Sequence, residues 1–89
     1  MAALNYSRDD YEKIKLNLPV IVDANEGMRK GKDGCVEIAM ESGAPEYIKS
    51  AQALDSVITK INKAVNEAVE ITEKIITKYK QLDASGMLS

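Results

Sequence analysis

Eighty-nine residues with a formal net charge of -2 make one small domain, too short to enclose a deep pocket. The slightly acidic balance gives no electrostatic reason to seek nucleic acid or an anionic membrane. There is no His and a single Cys, so an internal disulfide is excluded and acyl-transfer and metal chemistry lack their commonest base and ligand.

The first expected element is a helix over about residues 7–42. Ser7 is its expected N-cap, Asp10 stands three residues on, and Asp9 suits the positive end of the helix dipole. Tyr11, Ile14, Leu18, Ile21, Asn25, Met28, Lys32, Cys35 and Ala39 then recur at three- and four-residue steps, with polar residues breaking the pattern between Asn25 and Lys32. Pro19 removes one hydrogen bond and predicts a kink near Lys15 to Leu18. Gly27, Gly31 and Gly34 each weaken the helix by up to ~1 kcal/mol relative to Ala, which marks Gly31 to Gly34 as a point of weakness. The first helix is therefore expected to support itself poorly.

Ser42-Gly43-Ala44-Pro45 is the clearest punctuation, a turn at residues 42–45 near the midpoint of the chain. Gly43 suits the left-handed position that ends a helix, and Pro45 suits the first turn of the next. From Pro45 no Pro or Gly recurs before Gly86, so a second helix is expected over about residues 45–83, followed by a tail at 84–89. Such a helix would be roughly 60 Å long, too long to bury itself.

Within it Ala51, Leu54, Ile58, Ile61, Val65, Ala68, Thr72, Ile75, Tyr79 and Leu82 form a seam interrupted only by Thr72, a tolerated or register-setting polar insert. Val57, Ala64 and Ile71 make a parallel row on one side, and Val69 and Ile76 widen the other. A stripe this wide suits a helix with more than one neighbour. The predicted fold is all-α, a single two-helix antiparallel hairpin over residues 1–89 that completes a four-helix bundle with a second copy or a helical partner. Leu54, Ile58, Ile61, Val65, Ala68 and Ile75 are the expected partner interface, with Gly43 and Pro45 forming the turn. The plainer alternative has the first helix folding back to cover the whole stripe.

No catalytic constellation is visible, and the reading is of a protein that is not an enzyme and needs no cofactor or metal. Cys35 reads as a small, partly buried apolar residue, because no His activates it. Gly27 to Gly34 reads G-x-x-x-G-K-D-G, one residue short of a phosphate loop, with Asp33 where Ser or Thr would hold magnesium. The basic run Arg29, Lys30, Lys32 lies between Glu26 and Asp33 and reads as a solvated surface. Asn5-Tyr6-Ser7 fits the glycosylation pattern without a secretory context. Met1 to Asn5 does not open a signal peptide, and no stretch is apolar enough to span a membrane. The expectation is synthesis in the cytoplasm, no stable membrane insertion, and export, if any, by a route that needs no signal peptide.

One short motif carries weight. Tyr79-Lys80-Gln81-Leu82-Asp83 reads Y-x-x-x-D near the end of the long helix, and its i,i+4 spacing puts ring and carboxylate on one face. With the midpoint Gly-containing turn and the two flanking helices, this resembles the WxG superfamily, the early-secreted-antigen-like helical hairpins of Gram-positive type VII secretion. The resemblance implies a homodimeric or heterodimeric four-helix bundle, export without a signal peptide, and Tyr79 and Asp83 as the export element. The chain has no Trp, so the W-x-G turn itself is missing and only Gly43 stands near its Gly. In this it resembles the divergent small partners of Leu-x-Gly (LXG) toxins, which bind the helical N-terminal domain of the effector and help present it for export. The competing reading is an intracellular helical adaptor or homo-oligomeric coiled-coil subunit in which Tyr79 is only a core residue.

Overall fold

The computed structural model describes residues 7–88. Two helices account for almost all of them: α1, Arg8–Ser42, and α2, Pro45–Ala84, joined by Gly43 and Ala44. Ser7 caps α1, its side chain accepting from the Asp10 N–H at 3.1 Å, with Asp9 and Asp10 in the first turn.

Gly43 ends α1 at φ 65°, the left-handed conformation that a Cβ disfavours, and its N–H donates to the Met40 carbonyl. The Ser42 hydroxyl holds the corner from both sides, donating to the Ala39 carbonyl at 2.6 Å and accepting from the Ala44 N–H at 3.2 Å. Pro45 then opens α2 at a position where its missing N–H costs nothing. The reversal is thus closed by local hydrogen bonds, and the helices run antiparallel.

The two helices form one layer, 61 × 25 × 15 Å, with a radius of gyration of 19.4 Å. A compact domain of this length would have a radius near ~12 Å. A single layer cannot surround a core, and the burial shows it. Among the described residues the buried apolar side chains are Tyr11, Ala39, Ala51 and Tyr79, and none is fully enclosed.

α1 runs unbroken through both of its weak points. Pro19 costs the Lys15 carbonyl its intrahelical donor, but both residues lie in solvent, where water replaces the bond. The helix also continues through Gly27, Gly31 and Gly34, and a Cβ added at any of the three would meet no atom within 4 Å. Their only effect on the isolated chain is entropic. Changing all three to Ala should raise stability by about 2 kcal/mol in chemical denaturation. A loss of stability would mean that these positions are packed in solution.

Candidate functional site

The side of α2 that meets α1 is set by a seven-residue alternation. Ala51 is buried, and Ile48, Asp55, Ile58, Asn62, Val65, Val69, Thr72 and Ile76 are half-buried, leading to buried Tyr79. This inner seam shares Ala51, Ile58, Val65, Thr72 and Tyr79 with the seam read from sequence. It differs in taking Asp55, Asn62, Val69 and Ile76 inward in place of Leu54, Ile61, Ala68 and Ile75.

The inner seam is polar at its centre. Asn25, buried on α1, donates from Nδ2 to Asn66 Oδ1 at 3.0 Å and accepts from Asn62 Nδ2 at its own Oδ1, 2.6 Å away. The same Asn62 amide also donates to the Asn25 carbonyl at 3.0 Å. One layer toward the turn, Lys32 reaches across to Asp55 at 3.0 Å and is also paired with Asp33 at 2.6 Å. Among the described residues no buried side-chain polar atom lacks a partner. The hydrogen bonds that the Lys32 ammonium donates to Asp33 and Asp55 raise its pKa above the ordinary value, and Lys32 in turn lowers that of Asp33.

The residues displaced outward make a second seam. Leu54, Val57, Ile61, Ala64, Ala68, Ile71 and Ile75 follow one another at alternating steps of three and four along α2, and all are exposed. Leu54 and Ile61 are each 39% exposed, Val57 55% and Ile71 61%, and none of the seven carries a charge. At about 100° per residue the second seam lies roughly a quarter-turn round the helix from the first. Two apolar seams at that angle are what a helix at the corner of a four-helix bundle needs for its two neighbours.

α1 contributes to the same side. At the turn end Cys35 and Ile38 face Tyr47, Ser50 and Leu54 across an open, almost wholly apolar groove of about 340 Å³ floored by Ala39 and Ala51. Toward the other end Ile14, Asn17, Leu18 and Ile21 flank a smaller groove beside Thr72. Two small residues at one level of the inner seam, Ala39 and Ala51, leave room for the groove at the turn. Cys35, expected to be partly buried, is exposed at its edge.

The opposite side is polar. Its groove is lined by Arg29, Lys32, Thr59 and Lys63 with Glu67 and Glu70, and Arg29 there pairs with Glu26 and Asp33. The hairpin therefore has one dry side and one wet side. The expected interface residues divide between the open side and the inner seam: Leu54, Ile61, Ala68 and Ile75 stand on the open apolar side, while Ile58 and Val65 pack toward α1.

The Tyr79–Asp83 element lies where the first turns of α1 meet the last turns of α2. The Tyr11 and Tyr79 rings are parallel to within 1° with centroids 5.5 Å apart, and the Lys15 ammonium sits 4.2 Å from the Tyr11 centroid. Arg8 Nη2 donates to Asp83 Oδ1 at 2.7 Å. Neither Tyr11 nor Arg8 was singled out from the sequence as a partner of this element. Counting outward from the turn places Tyr11 roughly opposite Tyr79 and Arg8 roughly opposite Asp83, and that is the signal that finds them.

Among the described residues no group of three His, Cys, Asp or Glu side chains stands close enough to hold a metal ion. Nor, among them, is any helix long and apolar enough to cross a membrane. The fold and site together define an all-α helical hairpin with an open apolar side. No family model, curated protein or solved structure matches the chain.

Proposed function

We propose that this chain is a non-enzymatic helical partner protein of type VII secretion, which binds the helical N-terminal domain of an LXG-type effector and contributes to its export. The observation that carries the reading is the second apolar seam of α2. A hairpin that leaves Leu54, Val57, Ile61, Ile71 and Ile75 in water along one row presents the kind of continuous apolar patch that marks a protein interface. An elongated helical hairpin from the effector would cover both helices along that side and complete a four-helix bundle. The midpoint turn at Gly43 and the Tyr79–Asp83 pair near the end of α2 are consistent with the WxG-like assignment.

The test is an affinity pull-down of tagged chain from its native host, with cells and culture medium analysed separately by mass spectrometry. Recovery of a larger chain with a helical N-terminal domain, with both present in the medium, is the expected result. Asp83→Asn should leave that complex intact and reduce export by tenfold or more. Asp83 is the cleaner site for this purpose, because Tyr79 is also buried. A chain found only in cells, bound to itself or to an unrelated protein, would establish an adaptor instead.

A further inference from the structure

The two residues assigned to export are not presented to solvent as a free pair. Tyr79 is 6% exposed beneath Tyr11, itself 5% exposed, and Asp83 is held by Arg8. A receptor that reads an aromatic ring and a carboxylate one turn apart finds the ring covered and the carboxylate engaged. The first two turns of α1 lie over the ring through Tyr11 and hold the partly exposed carboxylate through Arg8.

That segment is set apart from the rest of α1. Pro19 has no N–H to give the Lys15 carbonyl, so the hydrogen-bond ladder is interrupted just after it. Helix ends open at far lower cost than helix centres, and here the end is attached through its weakest rung. On the far side of Pro19 the Asn25–Asn62–Asn66 cluster and the Lys32–Asp55 pair hold the helices together independently of the end. The end can therefore lift while the rest of the hairpin stays paired.

We propose that residues 8–18 are a lid over Tyr79 and Asp83, hinged at Pro19, which must lift before these two residues are read. The proposal rests on the export reading above. Lifting breaks the Tyr11–Tyr79 stack and the Arg8–Asp83 ion pair, and uncovers the side of the ring that Tyr11 occupied. Docking of an effector helix that draws Ile14 and Leu18 of the lid out of the groove they share with Thr72 of α2 would favour the open form.

Two variants outside the export pair test this. Arg8→Ala/Tyr11→Ala removes the fastenings, and Pro19→Ala restores the missing rung and stiffens the hinge. Nitration of Tyr79 by tetranitromethane, mapped by mass spectrometry, reads the opening directly, and the ratio of secreted to cellular chain in the native host reads its consequence. The double variant should nitrate at Tyr79 about threefold faster or more, as loss of one stacked ring pair implies, and its secreted fraction should rise. Pro19→Ala should lower both. Unchanged nitration in the double variant, or faster nitration with secretion unchanged or reduced, would overturn the lid. Failure of the export reading looks different: secretion would then be the same for Asp83→Asn as for the unmodified chain.

Discussion

Ile61→Asp should abolish partner capture while leaving the hairpin folded, and Ile58→Asp should do the reverse. Ile61 lies in the outer seam, 39% exposed, so the isolated chain tolerates a carboxylate there. In a complex the same position would be enclosed by the partner. Losing a fully covered Ile costs roughly 1.5–3 kcal/mol, which weakens binding by about 10- to 100-fold before the penalty for burying a charge is added. Ile58 lies three residues away but faces α1, and a carboxylate there acts on the hairpin itself. The measurements are circular dichroism melting of each variant and calorimetric titration with the recovered partner. If Ile61→Asp binds as tightly as the unmodified chain, the outer seam is not the interface. If Ile58→Asp melts unchanged, the helices do not pair as described.

Asn25→Ala should destabilise the hairpin by about 2 kcal/mol, because it strips the half-buried Asn62 of one acceptor and leaves Asn66 to find water. Replacing both partners, in Asn25→Leu/Asn62→Leu, should restore or exceed the original stability, since the cost lies in an unmatched amide and not in the lost hydrogen bond. The double variant should also pay in specificity. With the polar layer gone, nothing at mid-length distinguishes the inner seam of α2 from the outer one, and the helix is free to rotate its drier row inward. Equilibrium urea unfolding measures the first effect. Sedimentation velocity and partner titration measure the second, with mixed oligomers and weakened capture as the expected outcome. A double variant less stable than Asn25→Ala would show that the asparagines do more than satisfy one another.

The helices and the turn were legible because each is specified locally. Ser7 offers an oxygen to the first free N–H groups, Gly43 accepts a left-handed backbone, Pro45 needs no donor, and the apolar steps of three and four have no strand equivalent. The weak points of α1 were also visible, but their consequence was not. Pro19 and the three glycines lower helix stability without ending the helix, because pairing with α2 outweighs costs of about 1 kcal/mol for each glycine and about 3 kcal/mol for the proline. Cys35 was placed too deep, since its step in the pattern puts it on the open flank of the inner seam.

The site was half legible for a different reason. α2 carries a wide apolar stripe in which Ala51, Ile58, Val65, Thr72 and Tyr79 form a row common to two seams. One seam runs through Leu54, Ile61, Ala68 and Ile75, the other through Asp55, Asn62, Val69 and Ile76. By hydropathy alone the drier seam belongs inside, and that is the choice a single helix suggests. α1 reverses it, because its inward row brings Asn25 and Lys32, which need partners, and Asn62 and Asp55 stand the same number of residues from the turn on the other strand of the hairpin.

What the amino-acid order determined by itself, then, was two long helices, their lengths, their antiparallel reversal at Gly43 and an apolar surface too wide for one neighbour. All of these follow from short-range hydrogen bonding and from the period of the helix. What only the tertiary structure decided was the rotation of α2 about its own axis, the apolar side left open as a result, and the covering of Tyr79 and the pairing of Asp83 by the first turns of α1. Those depend on which polar groups meet across the pair. A buried amide or ammonium without a partner costs more than an exposed row of Leu and Ile, so matching the polar residues fixed the rotation.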